Sequence, residues 1–210
     1  MPSIVLAPTL FASTFVTVLV IMDPFGNVPI FLSLTRDHTP AQRSRAAWHG
    51  SAVAAGVILG FALAGQQMLR LLGITLPALQ VAGGLLLLII ALELLRPGGG
   101  HGSLSEPEGE TNIALVPLGT PLLAGPGAIA ATMLYVRQAD GLGGTLSVIA
   151  ALAAVLVVVF LALRFSALLA KVLRTNGIDL LSRVMGLLVA AIAVQLAANG
   201  IQEWVTNGVS

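Results

Sequence analysis

Between residues 81 and 95 the chain carries a single charged side chain, Glu93, and between residues 148 and 163 it carries none. Runs of this kind fit helices that face lipid, since a helix needs about 20 mostly apolar residues to cross the hydrocarbon core. Charged residues make up only 9% of the 210 residues, whereas a soluble domain carries roughly a quarter. A globule in water cannot be clothed with so few, so a soluble enzyme and a disordered module are poor readings. The net charge of +1 offers no basic field for a polyanion, which excludes nucleic acid and leaves the lipid bilayer as the expected partner. Cysteine is absent, so disulfides and thiolate chemistry are excluded too.

Charged punctuation divides the chain into six predicted spans, at residues 4–35, 46–69, 76–95, 113–136, 143–163 and 180–205. The first stretch has no basic segment ahead of its apolar run and reads as a retained span rather than a cleaved leader. Residues 96–112, rich in Gly, Pro and Glu, read as a cytoplasmic linker. The expectation is one all-α transmembrane domain over residues 1–210, with repeats at 1–95 and 113–210. With the N-terminus outside, Arg36, Arg43, Arg45, Arg96, Arg164, Lys171, Arg174 and Arg183 fall on the cytoplasmic side, against Arg70 and Arg137 on the other. That bias places both termini outside. Trp48 and Trp204 fall near span ends, where amphipathic rings prefer to sit.

The halves resemble each other. GLLLLIIALELL begins at Gly84 and GLLVAAIAVQLA at Gly186, with six of twelve positions identical. Pro24 and Pro29 recur as Pro121 and Pro126, and the same offset of 97 pairs Thr35 with Thr132. Three spans per half is an odd number, so the second half enters the membrane from the opposite side: two inverted three-helix repeats, a plan common among secondary transporters.

Spans one and four carry the chemistry. The sequence DPFGNVP at 23–29 joins two prolines, which break helical hydrogen bonding, to Gly26, which tolerates unusual backbone angles. TPLLAGPG at 120–127 is its counterpart. Both spans are therefore expected to break near the midplane, facing each other inside the bundle, because unpaired amides cost several kcal/mol in hydrocarbon. Half-helices starting near Pro29 and Pro126 would each present free N–H groups to an anion, and the carbonyl ends before the breaks suit an ammonium or a cation. The candidate binding residues are Asp23, Pro24, Gly26, Asn27, Pro29, Thr120, Pro121, Gly125, Pro126 and Gly127.

Asp23 at the midplane either meets a substrate ammonium or coupling ion, or stabilises the kink with Asn27 and nearby N–H groups. Asn27 either caps the second half-helix or touches ligand. Glu93, three residues before Arg96, has the spacing of an interfacial ion pair. No His, Asp and Glu set has metal-ligand spacing, and no nucleophile, base and orienter set supports an enzyme.

IMDPFGNVPIFLSLT at 21–35, TPLLAGPGAI at 120–129 and GLLVAAIAVQ at 186–195 resemble the MarC family of six-span bacterial inner-membrane proteins. Many members carry a basic residue where this chain has Gln80. The resemblance implies transport of small neutral amino acids such as glycine and alanine, coupled to a proton or sodium ion and needing no other cofactor. The family's two motifs correspond to Asp23, Pro24, Gly26, Asn27 and Pro29 and to Pro121, Gly125, Pro126 and Gly127, and Asp23 is the candidate for ion coupling on its own chemistry. The substrate would be a small zwitterion moved by alternating access in the inner (cytoplasmic) membrane. A channel or exporter for another small solute, or a non-transporting scaffold, are the alternatives, and small-residue faces suit a homo-oligomer.

Overall fold

The computed structural model describes residues 7–96 and 123–207, and the described residues form seven helices. Helix α1 (Pro8–Met22) starts with proline in its first turn, where a missing N–H costs nothing. It stops at Asp23, in the left-handed region with φ 38°, whose N–H reaches back to the Leu19 and Val20 carbonyls. Helix α2 (Asn27–Leu34) leaves the break at 45° to α1.

Helix α3 (Pro40–Leu72) opens on a capping box. The Thr39 hydroxyl accepts the Gln42 N–H at 3.3 Å, and the Gln42 side chain accepts the Thr39 N–H at 2.8 Å. It closes at Gly73, which takes the positive φ of 66° that suits glycine at a helix end. Helices α4 (Leu76–Leu95), α5 (Pro126–Gln138), α6 (Gly141–Arg164) and α7 (Ser166–Asn207) complete the chain.

Four helices are long and apolar enough to cross a bilayer: α3, α4, α6 and the Leu180–Thr206 part of α7. The bent pair of α1 and α2 makes a fifth span when its halves are counted together. Of the span expected at 113–136, only the portion from Leu123 onward is described. Its helix α5 has 13 residues, about 20 Å, short of the roughly 30 Å core. Most of the linker at 96–112 lies outside the described residues.

Two helices begin well before the expected spans. Helix α3 starts at Pro40 because the Thr39 box nucleates it among charged residues. Helix α7 starts at Ser166 because its Lys, Arg, Leu and Ala residues are good helix formers and no proline follows to stop them. Charge marks where a span leaves lipid, and helical structure continues past that point.

Hydrogen bonds fix the vertical order. The Ala7 N–H donates to Ser147 near the start of α6 at 2.9 Å. At the same end, Trp204 of α7 donates to Thr75, the cap of α4, and Arg137 of α5 pairs with Glu203 of α7. Residues 7 and 204 therefore lie at one end of the bundle, together with Arg70 and Arg137. Arg36, Arg43, Arg45, Arg96 and Arg164 gather at the other end. Arg43 clamps the corner between α2 and α3, donating to the Thr35 carbonyl at 3.0 Å and to its hydroxyl at 3.2 Å. Arg137 with Glu203 is the one ion pair among the described residues; Glu93 and Arg96 do not pair, since Arg96 leaves the helix as extended backbone.

The most extensive helix pairing is α4 against α7. A Cβ on Gly84 would stand 2.6 Å from the Ala193 carbonyl oxygen, and one on Gly186 would stand 3.3 Å from that of Ala91. Each glycine thus meets the alanine seven residues beyond its counterpart in the other helix. Glycine lets the two backbones touch, and the contact is reciprocal. Leu85, Leu92, Leu187 and Val194 stay exposed on the outside of this pair, where lipid would lie.

Candidate functional site

At the first break, Asp23 is 7% exposed and Asn27 6%. The left-handed turn at Asp23 directs its carboxyl back over the chain, where Oδ1 accepts the Gly26 N–H at 3.0 Å. The other oxygen, Oδ2, occupies the space a Cβ on Gly26 would need. Gly26 has an ordinary helical φ of −64°, so glycine is required here to make room for the carboxyl and not for conformational freedom.

Asn27 takes a role that neither sequence reading described. It lies inside α2, with no capping contact to that helix, and its amide reaches backwards to donate to the Met22 carbonyl at 2.8 Å. It therefore closes the end of α1. It makes no side-chain bond to Asp23 among the described residues. Pro29 falls in the first turn of α2 and does not mark its start, which is at Asn27.

The N–H inventory of α2 then follows. Gly26 donates to Asp23 Oδ1, Asn27 to the Asp23 carbonyl at 3.1 Å, Val28 to the Phe25 carbonyl at 3.2 Å, and Pro29 has no N–H. Every first-turn donor is satisfied or missing. The expectation that both half-helices offer free N–H groups is corrected at this end: the first break offers an acceptor, Oδ2 of Asp23.

The start of α5 has the opposite character. Gly125, in extended backbone, precedes Pro126 at the first helical position, and no side chain caps the helix. The N–H groups of Gly127 and Ala128 have no carbonyl four residues back within α5, so they form the donor end. A Cβ on Gly127 would fall on the Leu87 side chain, and one on Gly83 would stand 3.2 Å from the Pro126 carbonyl oxygen. The glycines of α4 and α5 hold this helix start tightly against α4. Thr120 and Pro121 lie outside the described residues.

The two features share one core. Met22 and Phe31 flank the first break, Leu123, Ala124 and Ala128 flank the start of α5, and all five belong to one buried hydrophobic cluster. Higher up, Thr17 of α1 and Tyr135 of α5 bond through their hydroxyls at 2.8 Å, which sets these antiparallel helices in register. Counting inward from that bond at 1.5 Å per residue puts Asp23 within about 5 Å of the level of Pro126. By this count the segment from Asp23 to Pro29 and the segment from Gly125 to Gly127 lie at similar depth.

The MarC family of integral membrane proteins matches residues 8–205. The chain belongs to the MarC family. That match spans both proline-bearing segments. A UPF0056 membrane protein of Methanocaldococcus jannaschii is 38% identical over 197 residues, covering 91% of this chain and 96% of the relative. The UPF0056 inner membrane protein YhgN of Escherichia coli K12 is 33% identical over 192 residues, with 91% and 96% covered. YvbG of Bacillus subtilis is 31% identical over 194 residues, with 90% and 92% covered. No solved structure matches this MarC-family chain.

Gln80 of α4 was not among the expected site residues. It is completely buried, and neither atom of its carboxamide has a hydrogen-bond partner among the described residues. In the sequence it is one carboxamide in an apolar run, which does not reveal its burial.

Proposed function

We propose that this MarC-family protein is a secondary active transporter of small neutral amino acids of the glycine and alanine class. The observation that carries the reading is the opposite polarity of two helix ends that lie at similar depth. The first break offers a buried carboxylate oxygen and no free first-turn N–H, while the start of α5 offers uncapped N–H groups and no acidic residue in its first turn. An α-amino acid is a zwitterion, with an ammonium for the first and a carboxylate for the second. The bare backbone at Gly125 suits a substrate side chain no larger than a methyl group, while Gly127 packs on Leu87.

A carboxylate this deep in a membrane protein is functional by default. Asp23 is assigned the ammonium or the coupling ion, a proton or sodium. The reciprocal contact of Gly84 and Gly186 supports two inverted repeats, with six spans and alternating access as one repeat rocks against the other. The gathering of Arg36, Arg43, Arg45, Arg96 and Arg164 at one end supports a cytoplasmic assignment for that end, with both termini on the outer side of the inner membrane.

The test is uptake of labelled glycine and alanine into proteoliposomes, with and without an imposed proton or sodium gradient. Saturable, gradient-driven flux is expected. Absence of saturable flux for both solutes defeats the substrate assignment, and non-saturating flux would mark a pore.

A further inference from the structure

Six buried side-chain atoms lack a hydrogen-bond partner among the described residues, and they divide into two kinds. Thr14, Ser51, Thr132 and Ser166 contribute hydroxyls, and a hydroxyl on a helix can turn about χ1 to meet the carbonyl four residues earlier. Gln80 contributes both atoms of a carboxamide. It has two N–H donors and an acceptor oxygen to place, and its longer side chain has no such local remedy. Fully buried orphans of this kind need a reason.

The surroundings supply one. Gln80 lies where α4, α5 and α7 meet. Gly200 of α7 packs so closely that a Cβ there would stand 3.1 Å from that of Gln80 and 2.7 Å from the Pro77 carbonyl oxygen. One turn further into the membrane, Gly83 abuts Pro126 and Gly127 at the start of α5. In the other direction, within about 8 Å along α4, two polar ties join the same three helices. Trp204 of α7 donates to Thr75 of α4 at 3.3 Å, and Arg137 of α5 pairs with Glu203 of α7. The order along the bundle is a polar tie layer, then a buried carboxamide among glycines, then the glycine-bordered donor end of α5.

We infer that this junction is the closed outer leg of a solute path, latched by Arg137 with Glu203 and lined by Gln80. In the closed arrangement the carboxamide has no hydrogen-bond partner among the described residues. Parting α5 from α7 would admit water or a small zwitterion to it, so the orphan favours opening and the ion pair opposes it. The neighbouring helices then fill the space beside the glycines at 83, 127 and 200.

The inference rests on the transport reading for its solute, but its test reads the path itself. The chain has no cysteine, so Gln80→Cys introduces a unique thiol, and Ala151→Cys, at a fully buried position on α6, provides a control. A membrane-impermeant maleimide is applied to vesicles at the face carrying Arg137. Labelling at position 80 is expected to be slow in the single variant, to rise about tenfold with Arg137→Gln or Glu203→Gln, and to fall again in the charge-swapped pair Arg137→Glu with Glu203→Arg. Labelling that ignores the latch, or that rises equally at position 151, overturns the inference.

A second arm uses Gln80→Leu, which removes the orphan while keeping an apolar volume. The variant is expected to unfold at a higher temperature in detergent, and to raise the KM for glycine from the outer side about tenfold where the parent transports. A transporting parent whose KM is unmoved by Gln80→Leu overturns the lining role. A parent that carries no glycine, but whose thiol still follows the latch, defeats the substrate assignment and leaves the path standing.

Discussion

The two proline-bearing segments share the spacing of their prolines, yet the helix ends beside them are finished differently. At 23–29 the chain satisfies itself: Asn27 closes α1, the Asp23 carboxyl closes the turn, and α2 has no spare N–H. At the start of α5 no side chain caps the helix; at the offset of 97, Ala124 stands where Asn27 stands in the first segment, and the counterpart of Asp23, Thr120, lies outside the described residues. The prolines fix where α1 gives way to α2 and where α5 starts; the residues around them decide whether the helix end presents acceptors or donors.

Substitutions at the two segments should separate these characters. Gly127→Leu puts a side chain into Leu87 and is expected to cost about 3 kcal/mol or to prevent insertion, measured by denaturant unfolding in detergent. Asp23→Asn keeps an oxygen to accept the Gly26 N–H, so unfolding should move by less than about 1 kcal/mol, while gradient-driven glycine flux drops on the order of 100-fold. Unchanged flux would remove Asp23 from the site and leave it a structural residue.

Gly26→Ala displaces the same carboxyl without removing it. About 2 kcal/mol of stability and about tenfold in glycine affinity should be lost together, read by thermal shift with and without glycine. Asn27→Ala leaves the Met22 carbonyl unpaired and should cost about 1 kcal/mol while sparing affinity. The smallest effect belongs to Gly125→Ala, since extended backbone accepts any residue there; a change under about 0.5 kcal/mol is expected. A large loss of glycine binding with intact folding at this last position would show that ligand approaches the Gly125 backbone.

The break in span one could be read from residue types, because proline acts through the backbone and needs no knowledge of neighbours. The direction of the Asn27 amide could not. Asparagine before a helix usually caps that helix, and only the left-handed turn at Asp23 brings the Met22 carbonyl within its reach. The early starts of α3 and α7 were hidden because charge was treated as a helix boundary. Gln80 was hidden for another reason: burial at a three-helix junction is a property of packing, and a single carboxamide in an apolar run carries no mark of it. The pairing of Arg137 with Glu203, 66 residues apart, has the same origin.

The corner clamped by Arg43 gives the first break mechanical reach. Thr35 holds α2 to α3 through both its carbonyl and its hydroxyl, so the joint at Asp23 carries a stiff lever, the 33-residue helix α3, about 50 Å long. Turning that lever by about 5° sweeps its far end through about 4 Å, more than the width of a water molecule. Near that end Gly65 rests on Met133, the residue of α5 whose sulfur would lie 2.9 Å from a Cβ at that glycine. Were α2 to turn at Asp23, the motion would reach α5 at Met133 through this contact.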